Sequence, residues 1–110
     1  MLKLQFHILL FRIVFAVGDY VAVIYDDAWW AGEVADVNGS MCHINFLTQK
    51  GPNKFCWPTQ KDDAWVAKTG IFRRLPCPPA PVTSRYLGFD TQVVKDISLA
   101  LATYLEKCTK

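Results

Sequence analysis

The chain has 110 residues, a hydrophobic fraction of 52% and a formal net charge of +2. That length fits one domain with modest additions, and the apolar share is enough for a packed core. Divided along the chain, the charge argues against a strongly basic surface: Val17–Leu75 carries six basic and seven acidic residues, whereas a nucleic-acid binder normally shows a basic excess.

Residues 1–16 begin with Leu2, Leu4, Phe6 and Ile8 alternating with Lys3, Gln5 and His7, which is a strand period. His7 and Arg12 interrupt the apolar region, and unbroken runs such as Ile8–Phe11 are far short of the ~20 residues of a spanning helix. An apolar N-terminal arm or an extra strand is expected here. A signal peptide is the alternative, although no small-x-small cleavage site is clear.

Residues 17–75 read as a series of short strands separated by turns. Tyr20–Tyr25 is apolar on both faces, as a strand in a closed or doubly covered sheet should be. Asp26-Asp27-Ala28 is a short acidic turn. Trp29–Val37 is the second strand, and its Gly32 suits a bulge or a close backbone approach. Asn38-Gly39 is the strongest turn signal in the chain, a pair preferred in two-residue hairpins. Met41–Thr48, Lys54–Trp57 and Ala64–Ala67 follow as strands, and Thr69–Leu75 closes the unit. No βαβ alternation is present, so the pattern is that of an all-β barrel.

Residues 76–88 start with Pro76-Cys77-Pro78-Pro79-Ala80-Pro81, a stiff connector with polyproline geometry. The spacing of Pro76 and Pro79 also fits a PxxP ligand of another domain. In residues 89–110 the period changes. Val94, Ile97, Leu101, Tyr104 and Cys108 step by three or four and mark one face of a C-terminal helix over about Asp90–Lys107. Asp90 or Thr91 is placed to cap its start, and Lys107 and Lys110 suit its end.

The run GDYVAVIYDDAWWAGEV followed by MCHINF resembles the opening of Tudor domains. The matching pieces are Gly18, the apolar strand ending in Tyr25, the polar turn Asp26-Asp27, the Trp29-Trp30-Ala31-Gly32 run, and a third strand ending in Phe46. The later GPNKFCWP and AWVAKTGIF segments, with the Tyr86 region, are similar to a module recurring in uncharacterised animal proteins, some of them mobile-element derived. The resemblance covers roughly half the chain. It implies a small five-stranded SH3-like/Tudor-like barrel over 17–75, carrying an apolar N-terminal arm and a C-terminal α-helix.

Tudor domains usually hold methylated lysine or arginine in an aromatic cage, through attraction of the cation to ring faces. Matched by position, the resemblance makes Tyr25, Trp30 and Phe46 cage walls. Trp57 is a candidate fourth wall, and Asp26 or Asp27 is a candidate rim carboxylate. Leu47-Thr48-Gln49-Lys50 stands where methyl-mark readers commonly carry acidic and aromatic residues, and Lys50 would repel a cationic ligand held close to it. The alternative is that these rings only fill the core of a small barrel.

Catalysis is not expected. Cys42 adjoins His43, but neighbours on a strand point to opposite faces. Asp26-Asp27 and Asp62-Asp63 read as turn residues, and no phosphate-binding glycine loop occurs. Cys42, Cys56, Cys77 and Cys108 show no C-x-x-C spacing, so reduced thiols are expected, with no metal and no cofactor. The resulting expectation is a non-catalytic binding module for a methylated lysine or arginine peptide. A structural protein–protein interaction domain that uses the barrel and the C-terminal helix is the alternative, and a weak nucleic-acid contact through Lys68, Arg73 and Arg74 ranks behind both. The setting expected is intracellular, nuclear included, rather than secreted.

Overall fold

A computed structural model of the protein describes residues 14–108. Most of the expected N-terminal arm, residues 1–13, lies outside the described residues. So does Lys110, expected at the helix end.

Strands β1 (Tyr20–Tyr25), β2 (Ala28–Asn38) and β3 (Met41–Phe46) form an antiparallel meander. The first turn is Asp26-Asp27, with φ of 55° and 58°. Left-handed backbone at both central positions is the type I′ geometry that matches strand twist. At the second turn the paired residues are Asn38 and Met41, so the loop is Gly39-Ser40. Gly39 has φ of 61° and Ser40 does not share that sign, which is the type II′ pattern with glycine first. A bulge at Ala35 shifts the register between Val34 and Asp36. That extra residue explains why Val34 and Val37, three apart, turn to the same side.

Two further strands extend this sheet: β6 (Asp63–Ala67) beside β3 and β7 (Ile71–Leu75) beside β1, giving the order β6-β3-β2-β1-β7. A 3-10 turn, Lys68–Gly70, joins the two edge strands. A flat five-stranded sheet would hold its edges about 19 Å apart at the usual strand spacing. Four residue steps reach at most about 14 Å. The sheet must therefore curl until its edges approach. No ladder joins β6 to β7 among the described residues, so the sheet is curled but open, and the closed barrel expected from sequence is not formed.

A second antiparallel sheet has the order β4-β5-β9-β8, from Thr48–Gly51, Lys54–Cys56, Leu87–Gly88 and Ala80–Pro81. The Lys54–Trp57 strand expected in the barrel belongs here. The expected Met41–Thr48 strand ends at Phe46, and the chain passes to the second sheet at Thr48. The proline-rich stretch 76–88 contributes β8 and β9, so it is part of this sheet.

The two faces of the curled sheet carry separate cores. Val21, Val23, Val34, Cys42 and Ile44 fill the concave side, with Phe15 over them. Ala22, Ala31, Leu47, Phe55, Leu75, Phe89 and Ile97 form the convex core. Complete burial of an aliphatic side chain such as Ile44 is worth roughly 1.5–3 kcal/mol. Gly32 belongs to neither core by side chain. A Cβ there would stand 2.4 Å from Ile44 Cγ2 and 2.7 Å from the Asn45 carbonyl, so the residue serves a close approach of β2 to β3.

Helix α1 (Thr91–Cys108) lies on the convex side. Asp90 caps it: its Oδ1 accepts from the amides of Gln92 at 2.9 Å and Val93 at 3.2 Å. Such a cap is worth about 1 kcal/mol. Ile97 and Leu101 of the expected stripe are buried, and the Tyr104 ring meets Phe72 at 6.1 Å. The stripe is thus seated on its own domain. No helix among the described residues is long and apolar enough to cross a membrane.

Candidate functional site

The alternation of β1, β2 and β3 sends residues 21, 23 and 25, then 30 and 34, then 42, 44 and 46 to the concave side. The inner members of each set are aliphatic or small and are covered. The outer members, at one open end of the curl, are Tyr25, Trp30 and Phe46. These three rings line a single cavity of about 550 Å³, floored by Val23, Ala64, Val66 and Gly70. Tyr25 is 70% exposed and Trp30 44%, so both rings remain open to solvent.

Two local contacts fix the walls. The Trp30 indole Nε1–H donates to the Tyr25 carbonyl across the hairpin at 2.9 Å. The Phe46 amide donates to the Asp62 carbonyl at 2.8 Å, which brings the strand following it to the cavity rim. Asp62 is the one charged residue among those lining the cavity.

Trp65 also borders this cavity, but its side chain turns to the convex face of the sheet. It stands opposite His43 in the β3–β6 ladder and stacks on it, with ring centroids 5.0 Å apart and planes 18° apart. His43 Nε2 in turn lies 2.5 Å from Asp63 Oδ2. The imidazole is therefore held on one side by a carboxylate and supports the Trp65 ring on its face. Asp36 is the residue paired with His43 on β2.

Of the residues expected at the site, Tyr25, Trp30 and Phe46 are brought together. Trp57 is not among the lining residues. It follows β5 in the second sheet, and its ring lies 6.5 Å from Tyr20, whose position in β1 turns it to the convex side. Asp26 and Asp27 are exposed at the tip of their turn, also outside the cavity lining. The charged residue at the cavity is Asp62, which the sequence presents only as a turn residue. Lys50 lies exposed on β4 of the second sheet and does not line the cavity.

A smaller cavity of about 190 Å³ also has Phe46 and Asp62 in its lining, with Asn45, Trp57, Pro58, Thr59 and Lys61. Asn45 Oδ1 is shielded from water and accepts no hydrogen bond.

The basic residues considered for nucleic acid are dispersed. Arg73 and Arg74 are successive strand residues and point to opposite faces. Arg73 lies over the Phe72 ring at 4.6 Å. Arg74 pairs with Asp19 at 3.4 Å, donates to the Val14 carbonyl and covers the Phe15 ring. The Cys42 thiol is buried in the concave core. Burial raises its pKa above the usual thiol range, with the Lys68 ammonium opposing. It faces away from His43, so the two do not form a nucleophile and base. Burial also raises the Tyr20 phenol, with the Glu33 carboxylate adding to the effect. Among the described residues no group of three or more His, Cys, Asp or Glu side chains is placed to hold a metal ion. No protein-family model, curated protein or solved structure compared with this chain matches it.

Proposed function

We propose that this domain is a non-catalytic, Tudor-like recognition module whose aromatic cage takes the methylated ammonium or guanidinium of a lysine or arginine side chain. One observation carries the reading: the rings of Tyr25, Trp30 and Phe46 stand on one face around one open cavity, and Asp62 is the single charged residue in its lining. Aromatic faces attract a cation that sheds its water easily, by about 0.5–2 kcal/mol for each good contact. A methylated cation sheds water more easily than a bare ammonium, because each methyl replaces a donor. The lone carboxylate favours positive charge, and no lysine or arginine in the lining opposes it.

Several such contacts, less the cost of association, place Kd in the range of roughly 10 µM to 1 mM. The test is a titration of the chain with short peptides bearing trimethyl-lysine or dimethyl-arginine, read by tryptophan fluorescence and amide chemical shifts. Binding is expected for the methylated peptides, weaker binding for the unmodified ones, and loss of binding in Trp30→Ala and Tyr25→Ala with circular dichroism unchanged. Equal response to methylated and unmodified peptides, or none at millimolar ligand, would sink the proposal.

A further inference from the structure

We infer that the outer edge of β6 is where the ligand's backbone docks: an extended peptide adds to that edge as an antiparallel strand and sends its methylated side chain into the cage. The inference rests on the cage proposed above and specifies how the chain that carries the cation is held. At the two ends of the β3–β6 ladder, the Phe46 amide donates to the Asp62 carbonyl at 2.8 Å and the Lys68 amide to the Ser40 carbonyl at 2.9 Å. In an antiparallel ladder, bonded and non-bonded pairs alternate. Residues 62, 64, 66 and 68 therefore turn their main-chain groups toward β3, and Asp63, Trp65 and Ala67 turn theirs to the outer edge. β6 is the last strand on its side of the sheet. Among the described residues, no main-chain partner meets the N–H groups of Asp63, Trp65 and Ala67 or the carbonyls of Asp63 and Trp65.

This edge borders the cage. Asp62, Ala64, Trp65 and Val66 all line the cavity. The Trp65 side chain turns to the other face, so at that residue it is the main chain of β6 that meets the opening. Asp63, Ala64 and Trp65 are exposed. An unpaired strand edge is a template for an extended chain: its main-chain hydrogen bonds supply affinity, and pockets for alternate side chains supply selectivity. A peptide residue set opposite Ala64 or Val66 lies about 4.8 Å away and shares their face. Its side chain therefore points to the concave side, where Tyr25, Trp30 and Phe46 stand. In the antiparallel register that residue's own N–H points away from β6, and the N–H groups of its two neighbours point at the edge.

The experiment compares ligands on the full chain by calorimetry. Butyltrimethylammonium has no peptide backbone and reaches the cage alone. The peptide is a heptapeptide of alanines with trimethyl-lysine at its centre. Methylating its backbone nitrogens on both sides of the trimethyl-lysine should weaken binding about tenfold, the scale of one or two net hydrogen bonds. Methylating the trimethyl-lysine's own backbone nitrogen should leave affinity unchanged. Ala67→Pro removes one edge N–H and no ladder bond, and Ala67 already has φ of −67°, the value proline adopts. This variant should weaken the heptapeptide about threefold to tenfold and leave butyltrimethylammonium unaffected. Equal affinity for the two backbone-methylated peptides, or the reverse order, overturns the edge. So does an Ala67→Pro chain that folds and binds the heptapeptide as the parent does. If butyltrimethylammonium fails to bind, and peptides with lysine or trimethyl-lysine bind equally with the backbone alternation retained, the cage falls and the edge stands. If no ligand binds, both fall.

Discussion

The side chain of Asn53 grips the backbone of Phe89 at both ends: its Nδ2 donates to the Phe89 carbonyl at 2.6 Å, and its Oδ1 accepts from the Phe89 amide at 2.8 Å. Asn53 sits in the turn between β4 and β5 with φ of 51°, a conformation that asparagine tolerates better than most residues. Phe89 precedes the cap of α1, and its ring meets Phe55 edge-on at 5.3 Å. One side chain thus ties the second sheet to the start of the helix. Asn53→Ala removes two hydrogen bonds and strains the turn, so a loss of about 2–4 kcal/mol is expected in urea unfolding. Asn53→Gly relieves the strain but not the lost bonds and should fall between the two.

The carboxylate at the cavity can be told from those at the turn. Asp62→Asn is expected to weaken binding of a trimethyl-lysine peptide by about fivefold to tenfold, the scale of one partly solvated charge contact. Asp26→Asn and Asp27→Asn should leave affinity unchanged, as should Lys50→Ala. Isothermal titration of the four variants against one peptide decides the assignment. A larger effect from Asp26 or Asp27 than from Asp62 would return the role to the turn.

Those turn aspartates are instead a site of stored conformational cost. Both hold left-handed backbone, for which asparagine and glycine are favoured. The double variant Asp26→Asn, Asp27→Gly should raise stability by up to about 1 kcal/mol. Thermal unfolding of the variant against the parent chain measures it, and a lower midpoint would contradict the type I′ assignment.

His43 and Trp65 stack on the convex face of the sheet, away from the cage rings. His43→Ala removes a stacked partner worth about 0.5–1.5 kcal/mol and leaves the Trp65 ring free to turn. Urea unfolding should show a loss of that size, with Trp65 indole resonances shifted and peptide affinity unchanged. A clear fall in affinity would place the ring at the cavity instead.

Burial raises the Cys42 thiol and the Tyr20 phenol, Lys68 opposing the first and Glu33 adding to the second. Both groups are favoured neutral in the native state. As pH rises past their ordinary ranges the unfolded chain loses these protons first, so stability is full below those ranges and falls on the alkaline side. The urea midpoint should therefore decline from about pH 8.5 upward, and less steeply in Cys42→Val. Alkylation followed by peptide mass mapping should label the exposed Cys77 rapidly and Cys42 only as fast as the core opens.

Much of this architecture is readable from strand alternation alone. The two apolar faces of Tyr20–Tyr25 announce a doubly covered strand, and the structure places Val21 and Val23 in one core and Ala22 in the other. The same period puts Tyr25, Trp30 and Phe46 on one side: Tyr25 and Phe46 end their strands, Trp30 stands near the start of its own, and their inner neighbours are buried. The spacing of Ile97 and Leu101 likewise identifies the docked face of the helix. These signals are local, since a side chain's face follows from its parity within a strand or its angle about a helix.

Trp57 and Asp62 were not legible in this way. Their places depend on which sheet a short segment joins and on how far the first sheet curls. Three residues of strand at Lys54–Cys56 have too little pattern to distinguish one sheet from another. Only the pairing of Phe55 with Leu87, across more than thirty residues of chain, draws that segment and Trp57 away from the cage. Sequence alone determined the order of turns, the faces and the helix. Tertiary structure decided the open curl, the second sheet and the charged residue at the cavity, because those depend on contacts between segments whose local sequence carries no record of one another.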